Sequence, residues 1–255
     1  MIDVNVYMSR WPFRRLVLDE PARLAAALRR HGVAQAWVSS FDGIFHKDLA
    51  SANIRLAHDC RRYGADLFVP IGSINPKLPD WQEDLRRCHE EFRMPGIRLH
   101  PNYHGYGLDD PIFSEVLRLA ASRRLLVQLA VAMEDERTQH PLVRVPPVDL
   151  SPLPAVVKNA PGARLVLLNT DSIQNSERLR KLYSFDNVYF DLSMIEGVNG
   201  VARIAKAVSS QRILFGSNCP LFYFESALFK VREADCTDAE KRAILEGNAR
   251  GLLVA

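Results

Sequence analysis

Polar side chains recur where apolar segments of this sequence end. His100 ends one such segment, Asn169 follows another, and Asn218 follows the run Arg-Ile-Leu-Phe-Gly-Ser. Histidine titrates near neutral pH and therefore suits acid–base catalysis, while asparagine amides donate hydrogen bonds to a developing oxyanion. These residues predict a site for a small polar molecule, with His100 as an acid or base and the two asparagines as oxyanion donors.

Further residues near these positions could bind the same molecule. Tyr103 and His104 lie in Asn-Tyr-His-Gly-Tyr, a loop sequence that folding does not require, so His104 is a second candidate acid or base. Arg98 or Arg10 would bind the anionic group of a carboxylated ligand, because guanidinium groups pair with carboxylates. The predicted substrate-binding set is Asn5, Tyr7, Arg10, Arg98, Tyr103, Arg137, His140 and Asp171.

The segments that carry these residues alternate between strand and helix patterns. Apolar, strand-like runs cover residues 2–7, 33–40, 67–74, 96–101, 125–131, 164–168, 188–191 and 213–215. Between and after them, helical spacing predicts helices that include 176–183, 222–233 and 238–245. Eight alternations favour a closed parallel (β/α)8 barrel, and the 255 residues fit one barrel domain over 1–255. Catalytic residues of such barrels lie at the C-terminal ends of the strands.

One connection is unusually long. Residues 133–154 are rich in proline and too long for a simple turn, so we predict a lid over the barrel mouth. Arg137 and His140 within it would close onto an anionic substrate. We interpret the neighbouring Glu134, Asp135 and Glu136 as a solvated loop face.

The totals exclude several function classes. A net charge of +3 over 33 basic and 30 acidic residues gives no nucleic-acid footprint, and the four cysteines show no CxxC spacing. No GxGxxG follows the first strand, which argues against a dinucleotide site. The sequence shows neither a signal-peptide pattern nor a membrane-length apolar run, so we expect a cytoplasmic protein with no membrane or nucleic-acid partner.

The chain resembles the amidohydrolase superfamily, in its amidohydrolase-2 branch. The matching stretches are Gly-Ile-Arg-Leu-His-Pro at 96–101, Asn-Val-Tyr-Phe-Asp-Leu-Ser at 187–193, Phe-Gly-Ser at 215–217 and Gly-Asn-Ala-Arg at 247–250. The resemblance implies a hydrolase barrel whose metal is held by an HxH pair on strand one, histidines ending strands five and six, and an aspartate ending strand eight. It also leaves open a homo-oligomer, because barrels of this superfamily are often dimers.

This sequence differs from the family pattern at each metal position. The HxH pair reads Asn5-Val6-Tyr7, strand five ends near Ala130, strand six ends at Asn169, and the aspartate position holds Asn218. Zinc prefers imidazole, thiolate or charged oxygen ligands, which these side chains do not supply. We therefore predict a barrel with no bound metal and no cofactor.

Two functions of different classes remain open. The first is a metal-independent hydrolase of a small carboxylated ester, lactone or amide, for which the related metal-independent lactonases are a precedent by resemblance. The second is a barrel without catalysis that binds a metabolite or a partner protein; its asparagines would then bond one another, and His100 would be a satisfied core residue. A third, weaker alternative is a shifted metal site built from His100, His104 and Asp171.

Overall fold

The structure, a computed structural model, describes residues 1–170 and 180–254. Its strands pair in parallel in two sheets, ordered β1-β2-β3 and β4-β5-β6-β7-β8-β9. The strands are β1 (Ile2–Met8), β2 (Gln35–Ser40), β3 (Phe68–Pro70), β4 (Gly72–Ser73), β5 (Gly96–Leu99), β6 (Leu126–Ala130), β7 (Arg164–Leu168), β8 (Val188–Asp191) and β9 (Ile213–Leu214).

Hydrogen bonds join the two sheets at both seams. One residue, Ile71, separates β3 from β4, and its N–H donates to the Val38 carbonyl at 2.8 Å. Pro70, which lacks an N–H, marks this break in a segment predicted as one strand. At the other seam the Val4 N–H donates to the Phe215 carbonyl at 2.9 Å. With β3 and β4 as halves of one strand, the sheets form the predicted (β/α)8 barrel.

Helices connect the strands on the outside of the barrel. They are α1 (Pro21–Arg30), α2 (Asp42–Phe45), α3 (Leu49–Gly64), α4 (Trp81–Glu90), α5 (Pro101–His104), α6 (Pro111–Ser122), α7 (Leu153–Lys158), α8 (Gly200–Val208), α9 (Phe224–Arg232), α10 (Asp238–Arg242) and α11 (Asn248–Val254). Within the described residues, no helix combines the length and apolar character needed to cross a membrane.

Three local differences from the sequence predictions have physical causes. The short α5 replaces a predicted loop, because Pro101 suits a first helical turn and Gly105, at φ 71°, ends it. The predicted helix 176–183 falls mainly outside the described residues, and Lys181–Ser184 form a 3-10 turn. The helix predicted to end at 245 continues through a π-helical turn, Ala243–Gly247, into α11.

A bulge in β1 decides which of its side chains face the barrel interior. Asp3 pairs with Ala36 and Val6 with Val38, so two residues of β1 lie opposite one residue of β2. Val4 packs in the same apolar cluster as Ile2, as alternation requires, whereas the bulge moves Val6 into a different cluster. The simple alternation predicted for this strand is therefore interrupted immediately before Asn5.

Candidate functional site

A network of buried polar side chains crosses the C-terminal ends of β1, β7 and β8. Asn5 Nδ2 donates to Asn169 Oδ1 at 2.7 Å and to Asp191 Oδ2 at 2.8 Å. The Asn169 N–H donates to Asp191 Oδ1 at 2.8 Å, and Ser193 Oγ donates to Asn169 Oδ1 at 2.7 Å. All four residues are buried. The structure thus places Asn5 and Asn169 together, bonded to each other and to residues of β8 and its loop.

Asn169 and Asn218 both adopt left-handed backbone conformations, with φ of 59° and 56°. Asparagine tolerates this region better than most residues, so the fold itself gives a reason for asparagine at both positions. Their amides donate to the loop that follows β6: Asn169 Nδ2 to the Ala132 carbonyl at 2.6 Å, and Asn218 Nδ2 to the Met133 carbonyl at 2.9 Å. Both predicted oxyanion donors therefore have backbone acceptors within the protein.

Arg98 lies inside the barrel, fully buried. A guanidinium has five N–H donors, and the structure provides five acceptors. These are Gln128 Oε1 at 2.8 Å, the Val6 carbonyl at 3.1 Å, the Val4 carbonyl at 3.2 Å, the Trp37 carbonyl at 3.3 Å and Asn5 Oδ1 at 3.5 Å. The guanidinium also lies 4.5 Å from the Tyr7 ring centroid. These contacts favour a structural role for Arg98 over the predicted anion clamp.

The histidine pair lies beside Tyr7 at the barrel mouth. The Tyr7 hydroxyl and His100 Nε2 are 3.0 Å apart, and the His100 and His104 rings are 5.8 Å apart between centroids. Burial lowers the pKa of His100 well below its ordinary 6.5 and lowers the pKa of His104 to about 4. Both rings are neutral at pH 7. The Nδ1 atoms of both are buried without a hydrogen-bond partner in the described part of the chain.

Aromatic side chains cover this end of the barrel. Tyr7 stacks on Phe41 with centroids 4.9 Å apart, and Trp11 meets Phe41 edge-on at 5.1 Å. Tyr103 packs against Phe45 at 5.7 Å, and burial raises its pKa. Such pairs contribute beyond their buried area. The space directly above Tyr7 is thus filled by the protein's own rings.

A cavity of about 500 Å³ opens beside Asn169, between the connection after β6 and the loop after β8. Four carboxylates line it: Glu134, Asp135, Glu136 and Glu196. Arg137 pairs with Asp135, Nε to Oδ1 at 2.9 Å, which lowers the pKa of Asp135 to about 2, and Arg14 pairs with Glu134. Glu196 interacts electrostatically with Arg137, which lines the same cavity, and with Lys230. Among the described lining residues four carboxylates stand against one guanidinium, so the lining is acidic.

The other predicted binding residues are less close to this cavity. Arg10 is exposed, and His140 is exposed with its ring 6.0 Å from the Phe13 ring. Asp171 lies outside the described residues. Sequence reasoning missed Asp191 and Glu196, although Asp191 stands in the Tyr-Phe-Asp-Leu-Ser stretch that resembles the family. The position of Asp191 at the end of a predicted strand could have identified it as a site residue.

Two buried carboxyl groups complete the interior. Asp3 accepts hydrogen bonds from the Ser217 N–H at 3.0 Å, from Ser217 Oγ at 2.5 Å and from the Asn5 N–H at 3.1 Å. Burial outweighs these bonds and raises the pKa of Asp3 to about 7. For Asp191 the same cause raises the pKa to about 6. Over residues 1–170 and 180–254, no cluster of three or more His, Cys, Asp or Glu side chains is arranged to hold a metal.

The parallel barrel and its polar strand ends define an amidohydrolase-type (β/α)8 protein. The chain belongs to this family, because the family model Amidohydro_2, described as Amidohydrolase, matches residues 7–253. No curated protein matches it.

Solved structures of similar fold cover nearly the whole chain. A 5-carboxyvanillate decarboxylase from Novosphingobium aromaticivorans with bound manganese is 16% identical, covering 100% of this chain and 97% of its own, with a TM-score of 0.78. The 2,6-dihydroxybenzoate decarboxylase from Rhizobium is 14% identical, with 99% and 98% covered and a TM-score of 0.78. A putative amidohydrolase from Staphylococcus aureus is 13% identical, with both chains covered at 100% and a TM-score of 0.73. At these identities the likeness shows the fold.

Proposed function

We propose that this amidohydrolase-family barrel functions without a divalent metal and binds a small polar molecule in the acidic cavity beside Asn169. The observation that carries the proposal is the closed bonding of two asparagines. The Asn5 side chain bonds to Asn169, Asp191 and Arg98, and the Asn169 side chain also bonds to the Ala132 carbonyl and to Ser193. These hydrogen bonds hold the strands together. The side-chain oxygens that accept them have few lone pairs left to coordinate an ion.

The donor chemistry at the strand ends does not fit the manganese of the similar decarboxylase. Divalent manganese suits carboxylate, carbonyl and water oxygens, so the fit depends on whether the asparagine and aspartate oxygens here are free. Here the Asn5 oxygen faces the positive Arg98 guanidinium at 3.5 Å, and both Asp191 oxygens accept hydrogen bonds from asparagine nitrogens. A cation would have to displace these bonds beside a like charge. We therefore derive no reaction step through a metal.

The cavity charge indicates the kind of ligand. Among the described residues, four carboxylates and one guanidinium, that of Arg137, line it, and Asn169 is part of the same lining. Its negative potential favours a neutral or cationic molecule with hydrogen-bond donors, such as an amine or an amide, over the carboxylated ligand that the sequence suggested. Its volume of about 500 Å³ is that of a small-molecule site.

Hydrolysis is the second candidate function, favoured by the unpartnered Nδ1 atoms of His100 and His104. A buried neutral imidazole with a free nitrogen is able to take a proton from water. In this alternative, Asn218 and Asn169 would donate to the oxyanion after releasing the carbonyls of Met133 and Ala132. The aromatic cover over Tyr7 would also have to open.

The experiment uses protein purified without added metal. We expect no stoichiometric manganese or zinc by metal analysis, and stabilisation against heat by small amines that exceeds stabilisation by carboxylates of equal size. The E136Q/E196Q variant should lose most of that stabilisation, whereas E20Q, which alters an exposed glutamate outside the cavity, should keep it. Stoichiometric metal, or equal responses from E136Q/E196Q and the unaltered chain, would reject the proposal.

Product formation distinguishes the second candidate. Small esters, lactones and amides are incubated with the protein and separated by chromatography. Turnover that is lost in H100A/H104A and kept in E20Q would establish hydrolysis through the histidine pair. Stabilisation by amines without any product supports binding alone.

A further inference from the structure

A second cavity lies at the opposite end of the barrel, where β5, β6 and β7 begin. Its volume is about 340 Å³, within the range of small-molecule sites. Five of its lining residues are basic and none is acidic: His89, Arg93, Arg123, Arg124 and Arg164. This concentration of positive charge contrasts with a chain whose net charge is only +3.

Two of these arginines are held by the fold. Arg164 donates through Nη1 to the Leu252 carbonyl at 2.6 Å and through Nη2 to the Arg124 carbonyl. Arg123 donates through Nη1 to the Leu119 carbonyl at 3.4 Å. These hydrogen bonds fix α11 and the end of α6 around the cavity.

The guanidinium groups of Arg93 and Arg124 are available. Neither has a hydrogen bond or an ion pair with another residue of the described chain, and both residues are exposed. Arginine fits phosphate through two parallel N–H bonds, and two guanidinium groups at one rim would bind the same phosphate strongly. The two side chains are therefore the candidate ligand contacts.

Their backbone conformation indicates that arginine is not required for folding there. Arg93 and Arg124 have φ of 55° and 56°, the left-handed region. Arg124 ends α6 in a position that glycine or asparagine usually takes, with the Leu125 N–H donating to the Ala120 carbonyl at 2.9 Å. A side chain at such a φ costs energy that glycine avoids. Both arginines line one cavity, and both carry this conformational cost. We infer that their positive charge serves to bind a ligand there.

The floor of the cavity is apolar. Met94, Leu125 and Leu252 line it, and all three are buried in the barrel core. A cationic rim over an apolar floor matches a molecule with an anionic head and an apolar body. We propose that this cavity binds a phosphate monoester of a small apolar alcohol.

Calorimetric titration tests the proposal with three probes: phenyl phosphate, inorganic phosphate and phenol. We expect saturable binding of phenyl phosphate, at least tenfold tighter than either of the other two, and weakened by added salt because charges are paired. Absence of saturable phenyl phosphate binding would overturn the site. Equal binding of inorganic phosphate would overturn the role of the apolar floor and hence the assigned ligand class.

Matched variants locate the binding. R93G/R124G removes both charges and relieves both left-handed residues, so it should fold at least as well as the unaltered chain while losing tenfold or more in phenyl phosphate affinity. R93K/R124K keeps the charges and should retain part of the affinity. R23A, an exposed arginine on α1 outside this cavity, is the control and should bind normally. Affinity of R93G/R124G within twofold of the unaltered chain would place any binding elsewhere.

Discussion

The two ends of this barrel use polar side chains in opposite ways. At the C-terminal end of the strands, where such barrels place their chemistry, Asn5, Asn169 and Arg98 bond to the protein itself and aromatic rings cover the histidine pair. At the N-terminal end, Arg93 and Arg124 carry charge that no described residue pairs. The family resemblance predicts that the C-terminal end holds the site. The hydrogen-bond partners of each side chain show instead which donors are already satisfied within the protein and which remain able to bind a ligand.

The largest expected effect comes from removing the interior guanidinium. R98M would leave Gln128 Oε1 and the carbonyls of Val6 and Trp37 without their donor inside the barrel. Buried acceptors without partners are costly, so we expect the free energy of unfolding to fall by about 3–5 kcal/mol. Urea denaturation measures it.

The matched control lies at the other end of the barrel. Within the described residues, the Arg123 side chain donates one hydrogen bond, to the Leu119 carbonyl at 3.4 Å, and the residue is half-buried. R123M should therefore lower the free energy of unfolding by no more than about 1 kcal/mol. If R98M cost as little as R123M, the interior bonding of Arg98 would not distinguish the two ends, and its predicted role as an anion clamp would regain support.

A second prediction concerns pH and the buried Asp3. Its pKa is raised by burial from 3.8 to about 7, so the folded state holds a proton that the unfolded chain releases near pH 4. The stabilisation from this protonation is present below pH 4 and is lost as the pH rises through 7. We expect the difference in unfolding free energy between the unaltered chain and D3N to fall by roughly 1 kcal/mol per pH unit between pH 5 and 7, and to level above pH 8.

Subtracting the D3N curve removes the titrations that both proteins share, including those of the buried histidines. D66N is the control, because Asp66 is exposed and its hydrogen bonds lower its pKa. It therefore does not titrate above pH 5, and its difference curve should be flat there. A flat D3N curve would mean that Asp3 is already ionised in the folded state, and that the mouth interior is better solvated than its burial indicates.

The barrel could be predicted from the sequence because its strands are apolar runs ending in polar residues, and local composition reveals them. The bonding of the site could not. The β1 bulge that precedes Asn5 arises from pairing with β2, and the five acceptors of Arg98 come from several strands. His104 was assigned to a loop because a one-turn helix between Pro101 and Gly105 has too few residues for a periodic pattern.

The acidic cavity was also beyond sequence reasoning. From the sequence, Glu134, Asp135 and Glu136 were interpreted as a solvated loop face, because runs of charge in a loop are usually exposed. Glu196 comes from a loop about 60 residues further along the chain, and only the fold brings it to the same wall. The net charge of this cavity comes from side chains of two separate loops, so it cannot be recognised in either loop sequence alone.

The smallest predicted effect tests the backbone argument at the basic end. R124G and R124A both remove the charge of Arg124, but only glycine relieves the φ of 56°. We expect R124G to be more stable than R124A by about 1 kcal/mol in urea denaturation, with phosphate absent. Because the charge change is the same in both variants, their difference isolates the conformational cost. Equal stabilities would show that arginine carries no cost there, and the argument that its charge is retained for binding would lose its conformational support.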